Sequence, residues 1–168
     1  MTHKDRKKFE RLKKNGMDIS EFLKDFFIKG EDLSNCLISR LVAVEEDFSN
    51  TNFSNSQIRL IANNAVAKNC KFIRTKFLEG SNVRGTDFRG SNFFKSYWGN
   101  LDYAYADMRG INVCGVIMPF SSQLGTKAKV SENIFELLAK WWDICPGEPI
   151  ADQEIEDSCD ATCLQKLK

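Results

Sequence analysis

The sequence predicts an all-β solenoid with helical segments at both ends. Two observations carry that reading. A short pattern recurs every five residues through the middle of the chain, and large apolar residues fall at its centre almost without a break. The flanks lack the pattern and carry helix-like apolar spacing instead. Neither the helical period of 3.6 nor the strand period of 2 produces a repeat of five.

The unit is a small residue, then Asp or Asn, then a large apolar residue, then two variable positions. It is plain in Thr86-Asp87-Phe88-Arg89-Gly90 and Ser91-Asn92-Phe93-Phe94-Lys95. It returns at Glu46-Asp47-Phe48, Thr51-Asn52-Phe53, Ser81-Asn82-Val83, Ala106-Asp107-Met108 and Ile111-Asn112-Val113. The central residues run Leu33, Ile38, Ala43, Phe48, Phe53 and Ile58. A four-residue step leads to Ala62, Ala67, Phe72 and Phe77. A six-residue step then leads to Val83, Phe88, Phe93, Trp98, Tyr103, Met108, Val113 and Met118, giving 18 units in all. The short step lies in Arg59-Leu60-Ile61. The long step contains Gly80, whose backbone reaches unusual angles at low cost.

On these residues the chain resembles the pentapeptide-repeat family over about half its length. The resemblance implies a right-handed quadrilateral β-helix, four pentapeptides to a coil. It also implies that the central residue and the residue two before it point inward. Leu33, Phe48, Phe53, Phe72, Phe77, Phe88, Phe93 and Val113 are therefore the expected structural core, with Phe53, Phe72 and Phe93 in one interior column. Thr51, Ala65, Cys70, Thr75, Ser81, Thr86, Ser91, Ser96 and Ala106 sit two before a centre, where a second large residue would not fit. Trp98 and Tyr103 are bulky for an interior, and are expected to widen their coil or turn outward.

Three regions follow: residues 1–30 as a helical arm and cap, 31–118 as the repeat, and 119–168 as a helix with an acidic tail. Asp18-Ile19-Ser20-Glu21 reads as a D-x-x-E capping box opening a helix through Phe22, Leu23, Phe26 and Phe27, stopped by Gly30. That helix is expected to cover Leu37, Val42, Val44 and Ile61. The segment Lys4 to Asn15 offers only Phe9 and Leu12 as apolar contacts and is expected to be a mobile arm. Beyond Pro119, Ser131 opens a helix to about Ile144 with Ile134, Leu137, Leu138 and Trp141 on one face. Trp141 is expected to face the coil and Trp142 to serve self-association.

The chain has net charge +1, unevenly placed. Residues 1–16 hold seven Lys/Arg, whereas 148–160 hold six acids and no base. Both ends read as solvated, or as contacts with an anionic partner or between copies. No run approaches the eighteen or so apolar residues that a spanning helix needs, so no membrane partner is expected. The six cysteines show no paired CxxC spacing. They read as free thiols in a reducing, cytoplasmic setting, or in a virion if the protein is phage-derived.

Little in the sequence carries chemistry. His3 has no sequence-adjacent nucleophile, and the coil carboxylates occupy the regular polar position of the repeat. No enzyme activity, metal or cofactor is expected. Two outward columns are candidate contacts instead. One is basic, with Lys68, Arg89 and Arg109 above Ser49. The other is apolar, with Ile73 and Phe94 between Ser54 and Cys114. The expected function is a non-enzymatic protein-interaction or structural module, for instance a subunit of a bacterial or phage assembly, with a protein partner of unknown identity. The alternative is nucleic-acid binding through the basic arm and ladder. The family's quinolone-resistance members imitate DNA with an acidic rod, but residues 31–118 here carry nine acids against ten bases, which disfavours DNA mimicry towards a topoisomerase.

Overall fold

The computed structural model describes residues 3–99, 101–117 and 128–130. Parallel bridges join residues one coil apart: Asp32 to Asn52, Asn52 to Lys71, Lys71 to Asn92 and Asn92 to Asn112 on one side, and Asp47 to Val66, Val66 to Asp87 and Asp87 to Asp107 on another. The chain thus winds a β-helix of about twenty residues per coil. Each side gives only a few residues to the ladder before the corner, so few sides register as full strands. These are β1 (Leu37–Val42), β2 (Gln57–Ile61), β3 (Lys76–Phe77), β4 (Asp107–Met108) and β5 (Lys129–Val130). The first three form one sheet, in that order.

The corners explain the motif. The Asp or Asn before each centre accepts the amide two residues on, as Asp47 Oδ1 does from Ser49 (2.9 Å) and Asn92 Oδ1 from Phe94 (2.9 Å). This local turn suits Asx residues. Two residues after the centre the backbone turns left-handed, mostly at Asn or Gly: Asn50, Asn55, Asn69, Gly85 and Gly90 all have positive φ. Arg74, Lys95 and Tyr105 adopt the same conformation (φ 53, 54 and 61) without that tolerance.

Inside, Leu33, Phe48, Phe53, Phe72, Phe77, Phe88, Phe93 and Val113 are all buried. The Phe72 ring stacks between Phe53 (5.1 Å) and Phe93 (4.8 Å). The small positions do more than leave room. Thr75 Oγ1 donates to the Phe53 carbonyl (2.7 Å) and Ser91 Oγ to that of Ala67 (2.7 Å), so each hydroxyl bonds the coil below. Trp98 stays inside, its indole N–H on Ser96 Oγ at 2.8 Å, while Tyr103 is partly buried edge-on to it. Next to these rings the small-residue rule lapses: Leu101 and Ile111 stand two before a centre and are both buried.

The two slips of phase share one side of the coil. Residues 58–62 take the short step and 77–83 the long one directly above it, with Ile61 bridged to Asn82. Coil length accordingly drops to nineteen residues (Asn52 to Lys71) and then rises to twenty-one (Lys71 to Asn92) before returning to twenty.

The N-terminal end departs from expectation. The coil begins before Glu31, because Asp18 already bridges Leu37 and the Ile19 amide donates to the Leu37 carbonyl (3.0 Å). Helix α1 (His3–Lys14) is no mobile arm: Phe9 is fully buried against Phe22, with ring centroids 5.9 Å apart. Helix α2 is a single turn, Ser20–Leu23, and Asp18 does not cap it as a box would. Asp18 Oδ1 instead accepts from the Ser20 amide and hydroxyl (2.9 and 2.6 Å) and from the Ser39 amide (3.2 Å). No coil lies beneath this segment to hold it extended, so the chain closes its own bonds, Leu23 amide to Ile19 carbonyl (3.0 Å). A one-turn helix is too short to shield β1. Leu37, Val42 and Val44 therefore stay 37%, 53% and 43% exposed, and Phe27 is 67% exposed.

Candidate interaction surface

Outward residues line up in columns because each main-chain bond couples equivalent positions one coil apart. Asn50, Asn69 and Gly90 donate in turn to the carbonyls of Lys68, Arg89 and Arg109, which places the basic residues in one ladder. The ladder is not a bare positive strip. Beside it runs an acidic column, and the two interlock: Arg89 with Asp87 (2.7 Å) and Asp107 (3.7 Å), Arg109 with Asp107 (2.6 Å), Lys68 with Asp87 (3.3 Å), and Lys29 with Asp47. The Arg89 side chain, above all, holds the Asp87 carboxyl down at about 2, and Lys29 does the same for Asp47. Arg109 lowers Asp107 likewise. Asp87 and Asp107 thus offset part of the charge of the three ladder cations, through exposed pairs that are individually weak.

The apolar column also forms. Asn55, Arg74 and Lys95 donate to the carbonyls of Ile73, Phe94 and Cys114, stacking these three. It offers little free surface: Ile73 and Phe94 are half-buried and Cys114 is buried. Cys114 is disulfide-bonded, so the free-thiol reading does not extend to it. Cys36 and Cys70 are free and buried, and burial pushes their thiols up to about 11 and 12. Trp141 and Trp142 lie outside the described residues. Among the described residues no group of His, Cys, Asp and Glu could hold a metal ion, and no helix is long and apolar enough to cross a membrane.

A further surface lies at the N-terminal end, outside the two columns. There β1 is an edge strand. Where a lower coil would pair with it, two of its amides take side chains instead: Ser39 on Asp18 Oδ1 (3.2 Å) and Arg40 on Ser20 Oγ (2.9 Å). A groove of about 960 Å³ runs along this edge, lined by Phe26, Phe27, Leu41 and Val42 together with Lys24, Asp25, Arg40 and Glu46. Beyond it, α1 turns Lys4, Lys7, Lys8, Arg11 and Lys14 to solvent. The clue available in the sequence was the run of apolar residues at outward positions of the first full coil.

This architecture defines a class, the pentapeptide-repeat β-helix. No family model matches the chain, and no curated protein does. Among solved structures, 22 chains match. One is QnrB1, a plasmid-mediated fluoroquinolone resistance protein, at 15% identity and TM-score 0.32, over 68% of this chain and 66% of that one. Another is the pentapeptide repeat protein Rfr23 of a Cyanothece cyanobacterium, at 15% and 0.25, over 56% and 61%. A third is a pentapeptide repeat protein of the Arabidopsis thaliana thylakoid lumen, at 17% and 0.36, over 79% and 88%. The chain spans less than two thirds of the first two. At these scores the likeness carries no argument of its own, and the fold rests on the bridges and corners above.

Proposed function

We propose that the protein is a non-enzymatic interaction module, a β-helix that displays side chains on flat faces, and that a protein partner meets it at the open edge of β1. One observation carries the reading: Leu37, Val42, Val44 and Phe27 stay exposed around an edge strand and its groove. Exposed edges are normally covered or charged. Because the Ser39 and Arg40 amides are already bonded by Asp18 and Ser20, a partner segment would be held chiefly by the apolar side chains of the groove. The groove's mixed charges suit a polypeptide better than a polyanion. A structural subunit of a bacterial or phage assembly, cytoplasmic or within a virion, fits the same reading. The test is a photo-reactive amino acid at Val42 or, as control, at exposed Lys71 in the protein's own host. A single adduct specific to Val42 and abolished by Val44→Lys supports the edge. Equal labelling from both positions overturns it.

Nucleic-acid binding is the second reading. With the ladder's charge partly offset, it rests mainly on α1, where Lys4, Lys7, Lys8, Arg11 and Lys14 face solvent. It requires salt-sensitive binding of duplex DNA or RNA that is lost in Lys7→Glu/Arg11→Glu. Self-association through Trp142 is a separate proposal. Sedimentation that is unchanged by Trp142→Ser would remove it. Topoisomerase mimicry is disfavoured by the paired charges of the coil.

A further inference from the structure

The α1 helix has one face held by the coil and one turned to solvent. One is clamped to the coil: Phe9 is buried, Arg6 meets Glu31 at 2.9 Å, and Lys13 lies 3.9 Å from Asp32 and over the Phe9 ring. The other presents Lys4, Lys7, Lys8 and Arg11, which with Asp5 line a shallow concavity of about 600 Å³. Their spacing of three and four residues puts like charges side by side, which weakens a helix by a few tenths of a kcal/mol per pair. A counter-charge from outside would relieve that repulsion.

The coil is poorly placed to supply it. Asp47, Asp87, Asp102 and Asp107 are engaged by Lys29, Arg89, Arg84 and Arg109 of the coil itself. The chain has one other concentration of unbalanced charge, of opposite sign and similar size: Glu148, Asp152, Glu154, Glu156, Asp157 and Asp160. Reach permits the contact. Strand β5 pairs with β4, four coil steps above the coil of Asp47. At about 4.8 Å per coil, α1 lies roughly 25 Å away. The chain from Val130 to Glu148 can span about 34 Å, with the expected helix over 131–144 at ~1.5 Å per residue and the remaining residues extended.

We propose that the acidic segment 148–160 docks on the basic face of α1 within the same chain, so that any polyanion reaching that face must displace it. Tethering favours the chain's own segment over a second copy, because it fixes a high effective concentration. The contact is electrostatic and exposed, so it weakens as salt shortens the screening length. This goes beyond the interaction reading above and survives the loss of the β1 edge as a docking site.

The test uses the full chain, mixed from unlabelled and 15N-labelled protein and treated with a zero-length carbodiimide cross-linker. Amide links from Lys4, Lys7 or Lys8 to acids of 148–160 are expected within one isotopic copy at low salt, and their loss at high salt. A second arm measures a labelled DNA duplex as polyanion probe. Neutralising the segment (Glu148→Gln, Asp152→Asn, Glu154→Gln, Glu156→Gln, Asp157→Asn, Asp160→Asn) should tighten its binding about tenfold or more. Links only between light and heavy copies, no links at low salt, or unchanged duplex binding would each overturn the proposal.

Discussion

The ring of Phe72 lies over that of Phe93 with centroids 4.8 Å apart and only 11° between their planes. Phe53 stacks on the opposite face of Phe72, so three successive coils share one aromatic column along the axis. Truncating its middle member leaves a cavity that rigid coils above and below cannot close. Phe72→Ala should lower unfolding free energy by about 3–5 kcal/mol, read by urea denaturation. A loss under 1 kcal/mol would show that the column is not a packed core.

The corner at Gly90 carries two constraints. Its φ is +73, and a Cβ there would stand 2.4 Å from Asn69 Oδ1 of the coil below. Gly90→Ala should therefore destabilise by more than the 1–2 kcal/mol or so of the left-handed conformation alone. Adding Asn69→Gly should recover the crowding part and leave the conformational part. Arg74→Gly, at a corner with φ 53, should instead raise the melting temperature.

Acid should weaken the fold in a defined window. Asp18, Asp47 and Asp87 all lie near 2 when folded, against an unfolded value of about 3.9. For Asp18, burial alone would raise the carboxyl, but the bonds from Ser20 and Ser39 together outweigh it. Depressed values mean stability that is fully present above about pH 4 and is lost as pH falls towards 2. Asp87→Asn keeps the turn acceptor and removes the ion pairs. Its melting temperature should approach that of the parent as pH drops through this window, and parallel curves would exclude the ion pairs as the cause.

Cys36 and Cys70 should resist alkylation in the folded protein near pH 8, because burial keeps their thiols protonated. Mass spectrometry after iodoacetamide treatment, with and without denaturant, reads this directly. Native labelling at the denatured rate would mean that the interior is open.

Phe9 anchors α1, so Phe9→Ala or deletion of residues 1–16 should lower thermal stability rather than leave it unchanged. The expected loss for the single substitution is about 3 kcal/mol, followed by thermal melting. An unchanged melting temperature would return α1 to the status of an arm.

Much of the coil was legible in the sequence because its central residues repeat at a period that no other element produces. Even the slips at Arg59-Leu60-Ile61 and Gly80 could be read, since a missed residue shifts every later centre. The docking of α1 left no such trace. A single buried phenylalanine on a helix full of lysines makes no apolar stripe, and its partner Phe22 reads as part of another helix. The charge balance of the Lys68–Arg89–Arg109 ladder was half legible. Asp87 and Asp107 stand two residues before Arg89 and Arg109, within one repeat unit. The contacts of Lys68 with Asp87 and of Arg89 with Asp107 reach a full coil away, which a linear motif does not show.

The nineteen- and twenty-one-residue coils have a consequence for how such a rod can change length. Adding five residues anywhere would swing everything above it by a quarter turn, scrambling which column continues which. Adding twenty would lengthen the rod by one spacing and leave every column in line. A single lost residue is tolerated here because the pairing of β1 with β2 slips by one between Ile38 and Leu41 and then resumes, and because the next coil restores the residue on that same side. The pair works like two opposite frameshifts placed close together: the reading frame of the faces is disturbed for one turn and then resumes. Drift in such a chain is therefore free along the axis in whole turns and on this one side in compensated single residues, and closed elsewhere.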